Sequence, residues 1–393
     1  MVISVKDWLK TNLSGDYHIW GIVLFLSVAS IAVVYSATGT YAYSTMQATE
    51  AYLLKHGALV VVGLVGMWWV HRLNYVNFAH YSRIGMWLSV FLLLYTFLFG
   101  VRINGAPRWL AIPLIGATFQ PSDLAKLALI TNLSAMLAKR QHIRPEEYEP
   151  RLLWTMIFWV SVICGLIALT NASTAVLLGA TCFLLMYIGR VPGKYLTQMV
   201  VFCLIMGAIA LFAGSRWPTF FSRLEQYYEV VIKGTGRPSD QAWEANIALA
   251  NGSVFGQGPG NSQQRNFLPH PYSDFIYAVI VEEYGSLGGI ATVLIYLYLL
   301  WRGMRAIQNS RRAFGGLLSA GLTFSLVGQA MINMAVAVGL VPVTGQPLPL
   351  LSMGGTSMIF TGLSIGLILS VSRGEADESV ILSTGQPKAN RPA

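Results

Sequence analysis

Asp274 follows the turn-rich sequence NFLPHPYS and stands at the head of a long apolar run. A carboxylate there has two readings. Ser273 and Asp274 are both of the type that caps a helix by accepting from its first N–H groups. An ionisable group at the edge of a membrane is also functional by default, and partial desolvation makes a carboxylate a better proton acceptor. Glu282 and Glu283 lie further along the same run. At 1.5 Å per residue, roughly 12 Å of helix axis separate Asp274 from Glu282, too far for the paired carboxylates of a glycosidase. The two glutamates are therefore expected to be supporting residues with buried partners. Asp123 and Lys126, three residues apart, share a helix face and can form an ion pair. Alternatively, Lys126 can offer its ammonium to an anion. Arg102 and Arg108 lie just upstream, and a carboxylate facing several cations suits a reaction that releases phosphate or pyrophosphate.

Other chemistries find little support. The glycine-rich stretch GSVFGQGPGNS at 252–262 follows no alternating strand, and no G-x-x-x-x-G-K-[ST] occurs, so a nucleotide cofactor is not expected. The six histidines lack ligand spacing, which argues against zinc. Cys164, Cys182 and Cys203 sit inside apolar runs and read as small buried hydrophobes.

The elements that position these residues follow from composition. The chain is 54% hydrophobic and 11% charged, with a mean hydropathy of +0.56, whereas soluble domains carry about 25% charged residues. The net charge of +9 is spread through short loops with no basic stripe, so no nucleic-acid partner is expected. Helices are expected near 17–36, 54–71, 84–100, 121–138, 152–170, 172–189, 194–213, 273–302, 313–340 and 356–372, most of them long enough to cross a bilayer. The fourth is interrupted by Asp123 and Lys126. The eighth and ninth exceed one perpendicular crossing, which implies tilting or extension beyond the bilayer. The expected fold is all-α: a single polytopic membrane domain over 1–393 with about ten spans and an uncleaved first helix after Lys6 and Lys10.

An even number of spans puts both termini on one side. Lysine and arginine concentrate on that side, while the opposite segments hold only Arg102, Arg108, Arg216, Arg223, Lys233, Arg237 and Arg265. Both termini are therefore expected in the cytoplasm. Three outer segments stand out: 101–120, punctuated by glycine and proline and expected to lie at the interface; the long loop 214–272; and 341–357. The tail 373–393 is short and polar.

Four motifs carry a resemblance. PRWLAIPLIGATFQPSDLAKLAL at 107–129, GQGPGNS at 256–262, LPHPYSDFIYAVIVEEYG at 268–285 and VPVTGQPLPLLSMGGTS at 341–357 resemble the SEDS proteins FtsW, RodA and SpoVE, over nearly the whole chain and in the same order. The resemblance implies a peptidoglycan glycosyltransferase of the bacterial inner membrane, with its active site on the extracytoplasmic face. Its donor and acceptor would be lipid II, and it would release undecaprenyl pyrophosphate. The partners implied are a class B penicillin-binding protein, which is a transpeptidase, and other membrane proteins of the division machinery. The chain looks more like the division type, FtsW, than the elongation type, RodA.

Asp274 matches the family's essential aspartate, which makes it the implied catalytic base or a carboxylate associated with a divalent cation such as Mg2+ or Mn2+. Lys126 matches the lysine of the Q-P-S-[ED]-x-x-K motif, in which Asp123 stands where glutamate is commoner. Arg108 and Trp109 match an R-W pair, and Ser352, Gly354 and Gly355 an S-x-G-G turn; all are implied substrate-binding residues. The loop that usually reads Q-P-D-x-G is here Thr170-Asn171-Ala172-Ser173-Thr174 and lacks the acid, so no role is carried to it. Glu244 stands where many members have glutamine. Two other readings remain: a lipid II flippase using Asp123, Lys126, Glu282 and Glu283 as a polar path, and a non-catalytic scaffold. A large outer loop with candidates clustered on one face favours the enzyme.

Overall fold

The computed structural model describes residues 13–44, 49–103, 106–112, 117–141, 150–214, 217–236, 238–268, 270–310 and 312–384. Lys6, Lys10, Arg216 and Arg237, used above to orient the chain, lie outside them. Among the described residues, twelve α-helices carry the fold: α1 (Tyr17–Ser44), α2 (Thr49–Arg72), α3 (Tyr75–Phe99), α4 (Pro121–Arg140), α5 (Pro150–Ala168), α6 (Ala172–Ile188), α7 (Gly193–Ala213), α8 (Trp217–Tyr227), α9 (Asp240–Gly252), α10 (Ile276–Asn309), α11 (Ala313–Ala337) and α12 (Ser357–Thr384). By length and composition, eight can cross a membrane: α1, α2, α3, α5, α7, α10, α11 and α12. The apolar α6 is shorter, and Asp123 and Lys126 break the apolar character of α4.

α11 runs through the centre of the bundle, with Leu318, Leu322, Val327 and Ala330 buried. It packs against α4, α6, α10 and α12. Without a hydrophobic drive between helices in lipid, close association depends on small residues. α12 meets α2 in this way: a Cβ on Gly362 would collide with the carbonyl of Gly63, and one on Gly366 would come within 2.7 Å of the Met67 oxygen.

Three expectations need correction. The segment 101–120 is not simply an interfacial loop but a three-stranded antiparallel sheet of β1 (Val101–Ile103), β2 (Ala106–Ile112) and β3 (Ala117–Phe119). The sequence between β1 and β2 is Asn-Gly, the pair that favours a tight hairpin. The eighth helix begins at Ile276, after Asp274, and runs to Asn309; it is broken at Gly285 (φ 72°, ψ −177°), a conformation that glycine adopts without strain. The last helix continues past the expected end at 372 to Thr384.

The break in α10 is bridged by the glycine-rich loop. Gln257 and Gly258 donate their N–H groups to the carbonyls of Glu282 and Glu283, and Ser286 N–H donates to Ser253 O. The broken ladder is thus satisfied by backbone from another segment, as buried peptide groups require. Residues 276–283 are buried within the protein, and the exposed apolar stripe of α10 starts only at Tyr284 and Leu287. The lipid-facing part of the helix therefore begins at the break.

Candidate active site

Asp274 lies in the turn before α10, half-buried. Among the described residues, the only donor to its carboxylate is the hydroxyl of Ser273, at 2.8 Å. No backbone N–H reaches it, so it does not act as the helix cap. Its Oδ2 faces Gly345, where a Cβ would stand 3.5 Å away; Gly345 is left-handed, at φ +67°. The main chain is fixed instead, since Asn333 on α11 donates to Asp274 O (2.8 Å) and to Gln346 O (2.7 Å).

Lys126 is reached from the same helix. Its ammonium pairs with Asp123 Oδ1 at 2.8 Å and donates to Gln329 Oε1 at 3.2 Å, which leaves one of its three donors. Gln329 in turn donates to Pro347 O at 2.9 Å. Gln329 and Asn333 are one turn apart, so α11 sets Lys126 and the Asp274 backbone about 6 Å apart along its axis. Asp123 is 4% exposed, and its Oδ2 has no donor among the described residues. Asp123, Lys126, Gln329 and Ser357 line a crevice of about 30 Å³, room for a water or two.

The return segment after α11 closes the site. Ser352 is buried; its hydroxyl donates to Ser273 O (2.7 Å) and accepts from Leu348 N–H (2.8 Å). Met353 N–H donates to Tyr272 O at 2.9 Å. Between these ties the chain dips into the bundle. Leu348, Leu350 and Leu351 are buried, Tyr296 donates to Pro349 O, and Ser30 on α1 donates to Leu351 O at 2.8 Å. Leu350 is held at φ +67°, an outlier for a bulky residue. Gly354 makes only ordinary contacts, and a Cβ on Gly355 (φ +57°) would stand 4.0 Å from the nearest carbon of the Trp109 ring.

Arg108 and Trp109 stand on β2. Arg108 Nε donates to Thr170 O at 3.0 Å, which joins the sheet to the loop 170–174. There Asn171 caps α6 by accepting from Thr174 N–H, and in the first turn of α6 the Thr174 hydroxyl accepts from Gln346 Nε2 at 2.5 Å. The loop that lacks the family's acid is therefore wired to the return segment. The structure thus brings Asp274, Lys126, Asp123, Arg108, Trp109, Ser352 and Gly355 onto one framework. Sequence reasoning missed Gln329, Asn333, Thr174 and Gln346. The available signal was a pair of amides at i, i+4 on the otherwise apolar α11.

Glu282 and Glu283 belong to a separate network. Glu282 accepts from Asn251 Nδ2 (3.2 Å), the Ser262 hydroxyl and the N–H groups of Gln263 and Gln264. Glu283 accepts from Ser36 on α1. Arg265 Nη1 donates to the same serine, to its carbonyl at 2.8 Å and its hydroxyl at 3.0 Å. Arg265, Glu283, Tyr35 and Tyr284 line a cavity of about 510 Å³.

The family model described as cell cycle protein, covering FtsW, RodA and SpoVE, matches residues 17–377. A probable peptidoglycan glycosyltransferase FtsW of Alkalilimnicola ehrlichii is 31% identical, with 99% of this chain and 98% of the relative aligned. The stage V sporulation protein E of Bacillus subtilis is 29% identical over 92% of this chain and 97% of its own length. Among solved structures, the rod shape determining protein RodA of Thermus thermophilus superposes with a TM-score of 0.65 at 24% identity, covering 92% of this chain and 98% of that one. A structure describing how a peptidoglycan synthase complex coordinates polymerization and crosslinking superposes with a TM-score of 0.69 at 22% identity, with 92% and 99% covered.

Proposed function

This chain belongs to the FtsW/RodA/SpoVE family, and from that membership we propose that it is a peptidoglycan glycosyltransferase of the membrane, polymerising lipid II with Asp274 as general base. The observation that carries the assignment of the base is the state of Asp274. Its backbone is pinned from α11, and its carboxylate takes a single hydroxyl donor and serves no cap. A general base needs this combination of fixed position and spare acceptor capacity.

In the reaction, Asp274 takes the proton from the acceptor sugar hydroxyl. That oxygen attacks the anomeric carbon of the donor as the bond to pyrophosphate breaks. Lys126, oriented by Asp123 and Gln329, and Arg108, on the sheet, offset the charge that builds on the leaving group. The driving force is the donor's own pyrophosphate linkage, so no nucleotide is needed. The residues beside Asp274 do not make a protein cage for Mg2+ or Mn2+: among the described residues no group of three or more His, Cys, Asp or Glu is placed to hold a metal. A divalent ion there would draw its other ligands from water and phosphate, and no step is routed through it.

The partner proposed is a class B penicillin-binding protein, together with other division proteins. The similarity to a peptidoglycan synthase complex and to division-type relatives supports this choice. The test combines the purified protein, its cognate transpeptidase and labelled lipid II. Glycan polymer is expected with the wild type, and Asp274→Asn should lower the rate by about 100-fold or more. Undiminished polymer from a well-expressed Asp274→Asn protein that still binds its partner would overturn the role of Asp274. Lipid translocation without polymer would overturn the enzyme reading.

A further inference from the structure

Helix α8 buries none of its residues in the fold. Three of its large apolar side chains nevertheless form a stripe, which Tyr228, the next residue after the helix, continues: Trp217, Phe221, Leu224 and Tyr228, spaced i, i+4, i+7 and i+11, are all exposed. Such a stripe requires a covering. Two independent observations identify it.

The first is continuity with a membrane-crossing helix. α7 ends at Ala213, and its exposed Phe212 stacks on Trp217 with ring centroids 4.3 Å apart at 17°. Trp217 is followed by Phe221, again at 4.3 Å. The stripe therefore starts where the lipid-facing surface of α7 stops. The second is where the other end is tied. Tyr227 donates to Leu340 O at 2.6 Å, and Arg223 Nη1 donates to Val343 O at 3.0 Å. Both carbonyls lie just beyond the outer end of α11, which closes at Ala337. A helix about 15 Å long whose two ends meet the ends of two crossing helices runs along the membrane surface rather than away from it.

We propose that α8 is an interfacial helix that lies in the outer leaflet with its aromatic stripe among the lipid headgroups, and that it holds residues 340–343, hence Gly345 beside Asp274, from that position. Aromatic residues are favoured at that depth, and an amphipathic helix lies in the interface plane. Arg223 and Tyr227 are positioning residues; they are tied to the return segment through its backbone.

The test uses the full chain in phospholipid vesicles, with Cys164, Cys182 and Cys203 replaced by alanine. Single spin-labelled cysteines are placed at Phe221, Leu224 and Tyr228 on the stripe, and at Ser222 and Gln226 on the opposite face. Collision with oxygen relative to a water-soluble nickel chelate should be several-fold higher for the stripe than for the other two. Water-like values at all five positions would overturn the proposal. So would shielding of the stripe from both reagents, which would mean that a protein surface covers it. For the positioning role, Arg223→Ala combined with Tyr227→Phe should leave the depth pattern unchanged and increase amide hydrogen exchange across 338–346; unchanged exchange would overturn that half. Neither readout depends on polymerase activity, so failure here is distinguishable from failure of the glycosyltransferase assignment.

Discussion

With Lys126 replaced by alanine, Asp123 would remain as a carboxylate 4% exposed, with one oxygen already lacking a donor among the described residues. Breaking one side of a buried pair costs about 3 kcal/mol, so Lys126→Ala should lower both stability and activity. The double variant Asp123→Ala/Lys126→Ala should recover much of the stability and none of the activity. Thermal unfolding in detergent set against polymer yield separates the two effects, and recovery of activity in the double variant would deny Lys126 a role in the reaction. Gly345 offers a second test at this scale. Alanine there must take φ +67° and place its methyl 3.5 Å from Asp274 Oδ2. The methyl makes only ordinary contact there, so the effect is backbone strain of about 1–2 kcal/mol; the rate should fall further than stability does, because a shift that relieves the strain moves the segment packed against Asp274. Asp274, Lys126 and Arg108 were legible in the sequence because charge is rare in an apolar chain. Gln329 and Asn333 were not, because they act on main-chain carbonyls that any sequence would supply, and Gln346 was not, because the Thr174 hydroxyl it reaches lies 172 residues away.

Among the elements, the break in α10 is the most constrained. A Cβ on Gly256 would land on the Glu283 carbonyl, and one on Gly285 on the Val254 carbonyl. Gly285→Ala must also bear the left-handed φ, so a loss of about 3 kcal/mol is expected, read as a lowered unfolding temperature. Ser286→Ala, at the same bend, should cost little, since only its N–H is used. The length of the apolar run showed that one straight perpendicular crossing would not suffice. The bend could not be foreseen, because its missing hydrogen bonds are supplied by a loop some thirty residues upstream. The strands at 101–119 were hidden for a related reason: they are short, and glycine and proline masked their alternation.

For the molecule as a whole, the proposed orientation puts Lys233 outside and Lys194 inside. An impermeant thiol reagent applied to intact cells should modify a cysteine at exposed Lys233 and spare one at exposed Lys194; the reverse pattern would invert the topology. The all-α membrane fold was readable from hydropathy alone, while the way the chain closes on itself was not. The hydroxyl of Ser30 reaches Leu351 across 321 residues of sequence, and Gln346 reaches Thr174 across 172. During synthesis, Asp123, Lys126 and Asp274 enter the membrane well before the return segment leaves the ribosome. A nascent chain therefore carries these candidate site residues without the wall that aligns them until α11 and α12 are inserted. Insertion of α11 and α12 is itself the step that assembles the proposed site.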